Sequence, residues 1–150
     1  MTQEFPRYQF GWDILGATLN QLSKHNEALN AFRESIKLAP QDSSAHYNCG
    51  LVLVSLRKFE ESEIFFKQAL LLEPSYVQAL VSLADTLKVL GKIEEATDSY
   101  TKAIKLNPDT FIAYNNLGIL LQEQGKVGEA ESSFRSAIKI EPMYAEAHAN

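Results

Sequence analysis

Proline occurs five times in this chain of 150 residues, as Pro6, Pro40, Pro74, Pro108 and Pro142, and each stands 34 residues beyond the last. A proline inside a helix removes one hydrogen bond and clashes with the preceding turn, so each one marks a boundary between helices. A constant spacing of boundaries means a constant unit, and the chain is predicted to be an array of 34-residue repeats. Closing each unit two residues beyond its proline gives full repeats at 9–42, 43–76, 77–110 and 111–144, with partial repeats at 1–8 and 145–150. Residues 1–150 are expected to form a single domain of this kind.

Within each repeat the apolar residues follow a helical period twice, with a break between. In the fourth repeat AYNNLGILLQEQ reads as a first helix, GKVG as a turn and EAESSFRSAIKI as a second helix. Gly125 can close the first helix in a left-handed conformation, and Gly91 holds the same place in the third repeat. Ser23 and Arg57 stand there in the first two, whose turns should close at a higher cost. Small residues recur at Gly16, Gly50, Ala84 and Gly118, then at Ala28, Ser62, Ala96 and Ala130, and again at Ser35, Ala69, Ala103 and Ala137. They allow close helix approach. A large ring, Phe32, Phe66, Tyr100 or Phe134, fills the space they leave. Truncating Phe134 to alanine is accordingly expected to cost about 3–5 kcal/mol. No repeat can bury its apolar face alone, so neighbours must stack.

Trp12, Leu15, Gly16, Ala28, Phe32 and Pro40 reproduce, in order and spacing, the pattern of the tetratricopeptide repeat, which the chain resembles over residues 9–144. The departures are few: His46 stands where Trp12 does, Cys49 replaces a leucine and Ala84 a glycine. The resemblance implies an all-α fold, a right-handed superhelical solenoid of helix-turn-helix repeats, with the first helix of each pair turned toward a concave groove.

Composition narrows the partners. A formal charge of −5 and an isoelectric point near 5.2 disfavour a surface built to grip nucleic acid or anionic membrane. Cys49 is the only cysteine, so no disulfide forms within the chain, and a cytoplasmic location is expected. No cofactor is expected, because three histidines and one cysteine in different repeats make no metal-ligand spacing. Glu60 with Glu61, and Glu94 with Glu95, open second helices, where negative charge suits the helix dipole better than it suits acid-base chemistry. No phosphate loop, nucleophile elbow or triad is present, and the chain is not expected to catalyse.

Function is therefore sought on the groove face. Its places are filled in the second repeat by Tyr47, Asn48 and Leu51 among others, in the third by Ser82 and Asp85, and in the fourth by Asn116 and Ile119. Asn48, Ser82, Asn116 and Asn150 share one place and should form a row. A carboxamide offers both donor and acceptor, and can hold a peptide group without reading its side chain. The row resembles the asparagine ladder in the tetratricopeptide array of O-linked N-acetylglucosamine transferase, although Ile14 and Ser82 interrupt it. These residues are predicted to bind a protein or peptide segment of a partner.

By contrast, the basic clamp of tetratricopeptide co-chaperones that bind acidic chaperone tails is not matched. The corresponding places carry Asp13, Ala17, Asn48, Gln78 and Ser82, with no cation. Asp13, Asp85 and Glu123 would repel a carboxylate tail.

FPRYQFGW at the start aligns with EPSYVQAL at 73–80 and EPMYAEAH at 141–148, so both ends fall inside a repeat. Two further expectations follow: self-association through uncapped terminal repeats, or service as the substrate-recruiting or oligomerising arm of a larger glycosyltransferase or sulfotransferase.

Overall fold

A computed structural model describes residues 5–143. They form eight α-helices and no strand: α1 Phe5–Gln21, α2 His25–Leu38, α3 Ser43–Ser55, α4 Phe59–Leu72, α5 Val77–Val89, α6 Ile93–Leu106, α7 Phe111–Glu123 and α8 Val127–Ile140. Pro40, Pro74 and Pro108 lie in the links between helix pairs. Pro6 instead sits in the first turn of α1, where a missing N–H costs nothing because that donor has no partner in the helix.

One backbone device ends every first helix. The N–H groups of Lys24, Lys58, Lys92 and Lys126 donate to the carbonyls of Leu19, Leu53, Leu87 and Leu121, and the preceding residue makes the inner bond of the same motif. That preceding residue has positive φ in all four turns: 58° at Ser23, 59° at Arg57, and 75° at both Gly91 and Gly125. The left-handed turns expected from the two glycines are thus imposed on Ser23 and Arg57 as well.

The chain divides into two compact units, residues 1–79 and 80–150. In the first, α1 packs on α2, α2 on α3 and α3 on α4. Its core gathers Ala28, Leu29, Phe32, Cys49, Val52 and Leu53, with Leu19, Ile36, Leu56 and Phe65 around them. Burial pushes the Cys49 thiol up to about 12, so it acts as a small apolar core residue. His46, in place of the aromatic, is buried beside the Phe65 ring with centroids 6.0 Å apart, and its Nε2 lies 3.0 Å from the Pro40 carbonyl.

The close approach expected of the small residues is present. A Cβ added at Gly50 would come within 2.5 Å of the Phe66 ring, and one at Gly118 within 2.7 Å of Phe134, so only hydrogen fits. In the second unit α7 packs on both α6 and α8. The rings do not sink equally. Phe32, Phe66 and Tyr100 are buried, whereas Phe134 is only half-buried. The full truncation cost expected at Phe134 is therefore too high, because the side chain has less apolar surface withdrawn from water.

Candidate functional site

The predicted groove residues sit on first helices, and the two units treat them differently. In the first unit Tyr47, Asn48 and Leu51 lie on α3 and are half-buried. The Tyr47 ring is 4.9 Å from Tyr76 and 5.7 Å from Phe66, both tilted, which makes an aromatic wall. Such tilted contacts add to burial in holding the ring beside the helix. Tyr76 had not been singled out, although its place just before α5 recurs in the sequence as Tyr8. Asn48 makes no side-chain hydrogen bond to another described residue.

Polar groups collect at the start of this unit. Gln9 Nε2 donates to Asp42 Oδ2, while Asp42 Oδ1 accepts the Ser44 N–H at 2.9 Å and so caps α3. Nearby, burial raises the carboxyl of Asp13, helped by the charge of Asp42. The Ser35 hydroxyl opposes that rise, approaching the carboxylate without reaching good hydrogen-bond geometry, so Asp13 Oδ1 and Ser35 Oγ both lack a partner.

In the second unit Ser82 and Asp85 lie on α5, and Asn116 and Ile119 on α7. Here the side chains are joined. Asp85 Oδ1 accepts from the Tyr100 hydroxyl and, at 3.0 Å, from Asn116 Nδ2. Asn115 Nδ2 reaches Asn116 Oδ1 at 3.4 Å. Lys88 Nζ pairs with Glu123 at 3.1 Å, again between α5 and α7. Asp85 is exposed as a residue, while its carboxyl lies close to the protein atoms around it. That crowding pushes its carboxyl above the ordinary range, against the pull of Tyr100, Asn116 and Lys88. Burial and the facing carboxylate likewise raise the Tyr100 hydroxyl.

Asn116 is thus engaged within the protein rather than standing free, which sequence reasoning did not foresee. The signal was present: Tyr100 is the one ring of four that carries a hydroxyl, and Asp85 lies on the helix that precedes it. Asn150 falls outside the described residues, as do partial repeat 145–150 and the first four residues. A cavity of about 620 Å³ in the second unit is lined by Pro108, Asp109, Tyr114, Ser136, Lys139 and Ile140, and by none of the predicted site residues. Among the described residues no cluster of three or more His, Cys, Asp and Glu side chains could hold a metal ion. None of the described helices is long and apolar enough to cross a membrane.

The known proteins that resemble this geometry are helical repeats. A tetratricopeptide family pattern, the TPR repeat, matches residues 16–56 and 84–125, and a second, the tetratricopeptide repeat, matches 43–76 and 112–143. The chain belongs to the tetratricopeptide repeat family, an all-α helical repeat class whose members are protein–protein interaction modules. Among solved structures it is similar to a crystal structure of MamA, at 22% identity and a TM-score of 0.86, over 94% of this chain and 82% of that one. It is also similar to PilF of Pseudomonas aeruginosa, at 18% identity and a TM-score of 0.84, over 93% of this chain and 64% of that one. A third is the first tetratricopeptide region of Spaghetti (RPAP3) bound to the HSP90 peptide SRMEEVD, at 24% identity and a TM-score of 0.77, covering 79% and 94%. At such identities the likeness establishes the fold. No curated protein matches the chain by sequence.

Proposed function

We propose that the first-helix faces of this chain bind an extended peptide segment of a partner protein, and that the chain itself is not a catalyst. The observation that carries this reading is Asn48, a half-buried carboxamide with neither donor nor acceptor satisfied by the described residues, beside the Tyr47–Tyr76 aromatic wall. A half-buried amide left unpaired is a standing cost unless water or a ligand completes it. A peptide group completes both ends at once, and the aromatic wall accepts an apolar side chain beside it.

In this proposal Tyr47, Asn48 and Leu51 contact the ligand in the first unit, and Ser82, Asp85, Asn116 and Ile119 in the second. Asn150 extends the row. Residues 1–150 then act as one tetratricopeptide domain with the repeat boundaries given above, in the cytoplasm, and without nucleic acid or membrane as partner. A recruiting arm of a larger transferase would use the same faces.

The ligand class differs from that of the RPAP3 neighbour, whose bound peptide SRMEEVD is acidic. Asp13 and Asp85 at the groove places disfavour such a tail here. The test is selection of binders from a random peptide library on the wild-type chain, followed by titration with Asn48→Ala and Asn116→Ala. Each substitution is expected to weaken binding about tenfold, consistent with loss of a hydrogen-bonded pair. Unchanged affinity in both variants would sink the groove mechanism, and selection of uniformly acidic peptides would overturn the assigned ligand class.

A further inference from the structure

Asn48 and Asn116 occupy the same place in their repeats, but only one of them is held. An ionised carboxylate can only accept, so the nitrogen end of Asn116 must face Asp85 Oδ1, 3.0 Å away. Tyr100 is wholly buried and donates to the same oxygen, which anchors that oxygen to the core. The carboxamide of Asn116 therefore cannot turn over without forfeiting its bond to Asp85. Its carbonyl, Oδ1, is the end turned away, and the long contact from Asn115 at 3.4 Å leaves it with accepting capacity.

We infer that Asp85, braced by Tyr100, is a positioning residue that locks the Asn116 carboxamide with its carbonyl outward, so that the second unit accepts a main-chain N–H of the bound peptide in one orientation only. The inference rests on the proposed groove function and adds direction to it. A free carboxamide such as Asn48 serves a peptide group of either sense by flipping; a locked one does not. The bound chain consequently runs one way along the second unit. Asp85 sets this orientation through Asn116, a role separate from the contact with the ligand proposed for it above.

Two readouts separate this inference from the groove reading. The first needs no ligand: hydrogen exchange of the Asn116 side-chain amide followed by NMR in the wild-type chain. Exchange at least tenfold slower than at exposed Asn26 is expected. Asp85→Asn should preserve the protection, since its carbonyl can still accept, and Asp85→Leu should abolish it. Exchange at Asn116 as fast as at Asn26 overturns the lock while leaving the groove reading standing.

The second readout uses a peptide selected on the wild-type chain and synthesised with single N-methyl groups. One N-methyl position should weaken binding about tenfold to the wild type and to Asp85→Asn, and should have no effect on Asn116→Ala. Asp85→Leu should lose about tenfold in affinity for the unmodified peptide. Full affinity of a folded Asp85→Leu chain, in the presence of a loss for Asn116→Ala, overturns the positioning role. Slow exchange at Asn116 together with unchanged binding by Asn116→Ala overturns the recognition role of the lock, and the groove reading falls with it when Asn48→Ala also binds unchanged.

Discussion

The two units build the same helix-turn-helix scaffold and then furnish it with different chemistry. In the first, Gly50 admits the Phe66 ring, and Tyr47 leans on that ring and on Tyr76. In the second, Ala84 stands at the glycine place and Tyr100 at the phenylalanine place, and the added hydroxyl reaches Asp85, which in turn holds Asn116. One hydroxyl on a core ring thus links the core to the exposed face. The scaffold is indifferent to that exchange because the ring, not its substituent, fills the gap beside the small residue. Repeat architecture constrains packing places tightly and leaves the groove places open to divergence.

The largest expected effect tests the packing half of that comparison. Phe66→Ala should lower the unfolding free energy by about 3–5 kcal/mol, because a wholly buried ring leaves a cavity against a backbone that has no side chain to fill it. Phe134→Ala should cost less, since that ring is half-buried already. Urea denaturation of both variants measures the difference. Equal losses would mean that the two rings are equally sunk and that the units do not differ in packing.

Next in size is the polar half. Tyr100→Phe installs the ring that the other three repeats already use at this place, so it removes the hydroxyl with little change in packing. A loss of about 1–3 kcal/mol is expected, the usual range for a hydrogen bond to a charged or desolvated acceptor. A change below about 0.5 kcal/mol would show that the link from Tyr100 to Asp85 contributes little, and that the two units differ only in appearance.

The packing places were legible in sequence because they are fixed by volume and period. Ala28, Phe32, Ala69 and Ala103 recur at 34-residue intervals or their fixed offsets, and all four are buried. The turns were legible at Gly91 and Gly125 through conformational preference. What could not be read was the partnership of polar groups. Asn116 and Asp85 are 31 positions apart, and nothing in the spacing says whether an amide faces a ligand or a neighbouring helix. Tyr76 was hidden for a related reason, since it lies outside the helices and its contact with Tyr47 depends on the path of a link.

Acid–base behaviour sharpens the comparison further, because each unit holds one aspartate whose carboxyl lies above its ordinary value of 3.8: Asp13 in the first and Asp85 in the second. A raised carboxyl favours the protonated form in the fold. Its contribution to stability is therefore fully present below the unfolded value and is lost as pH rises through the folded value. Asp85→Asn keeps an accepting oxygen and removes the charge, so its stability relative to wild type should climb as pH rises above about 4 and then level off. Asp13→Asn should behave likewise, with the nearby Asp42 adding to the effect. Urea midpoints across pH 4–7 give the answer, and a pH-independent difference would remove burial as the cause.

The smallest effects concern the turns, where the units divide in the opposite way. Gly91 and Gly125 meet the left-handed requirement of the second unit at no steric cost, while Ser23 and Arg57 meet it in the first against a penalty of about 1–2 kcal/mol for a residue bearing a Cβ. Gly91→Ala should therefore destabilise by about 1 kcal/mol, since no atom lies within 4 Å of the new Cβ and only the backbone conformation objects. Ser23→Gly should stabilise by somewhat less than that, because glycine also gains freedom in the unfolded chain. Arg57→Gly should gain less still. Its guanidinium stands 5.8 Å from the centre of the Phe59 ring, an exposed cation–π contact worth about 0.5–1 kcal/mol that glycine would forfeit. Thermal midpoints in the order Ser23→Gly, Arg57→Gly, wild type, Gly91→Ala would support this account; a midpoint for Arg57→Gly above that of Ser23→Gly would mean that the ring contact adds nothing and that strain alone separates the two turns.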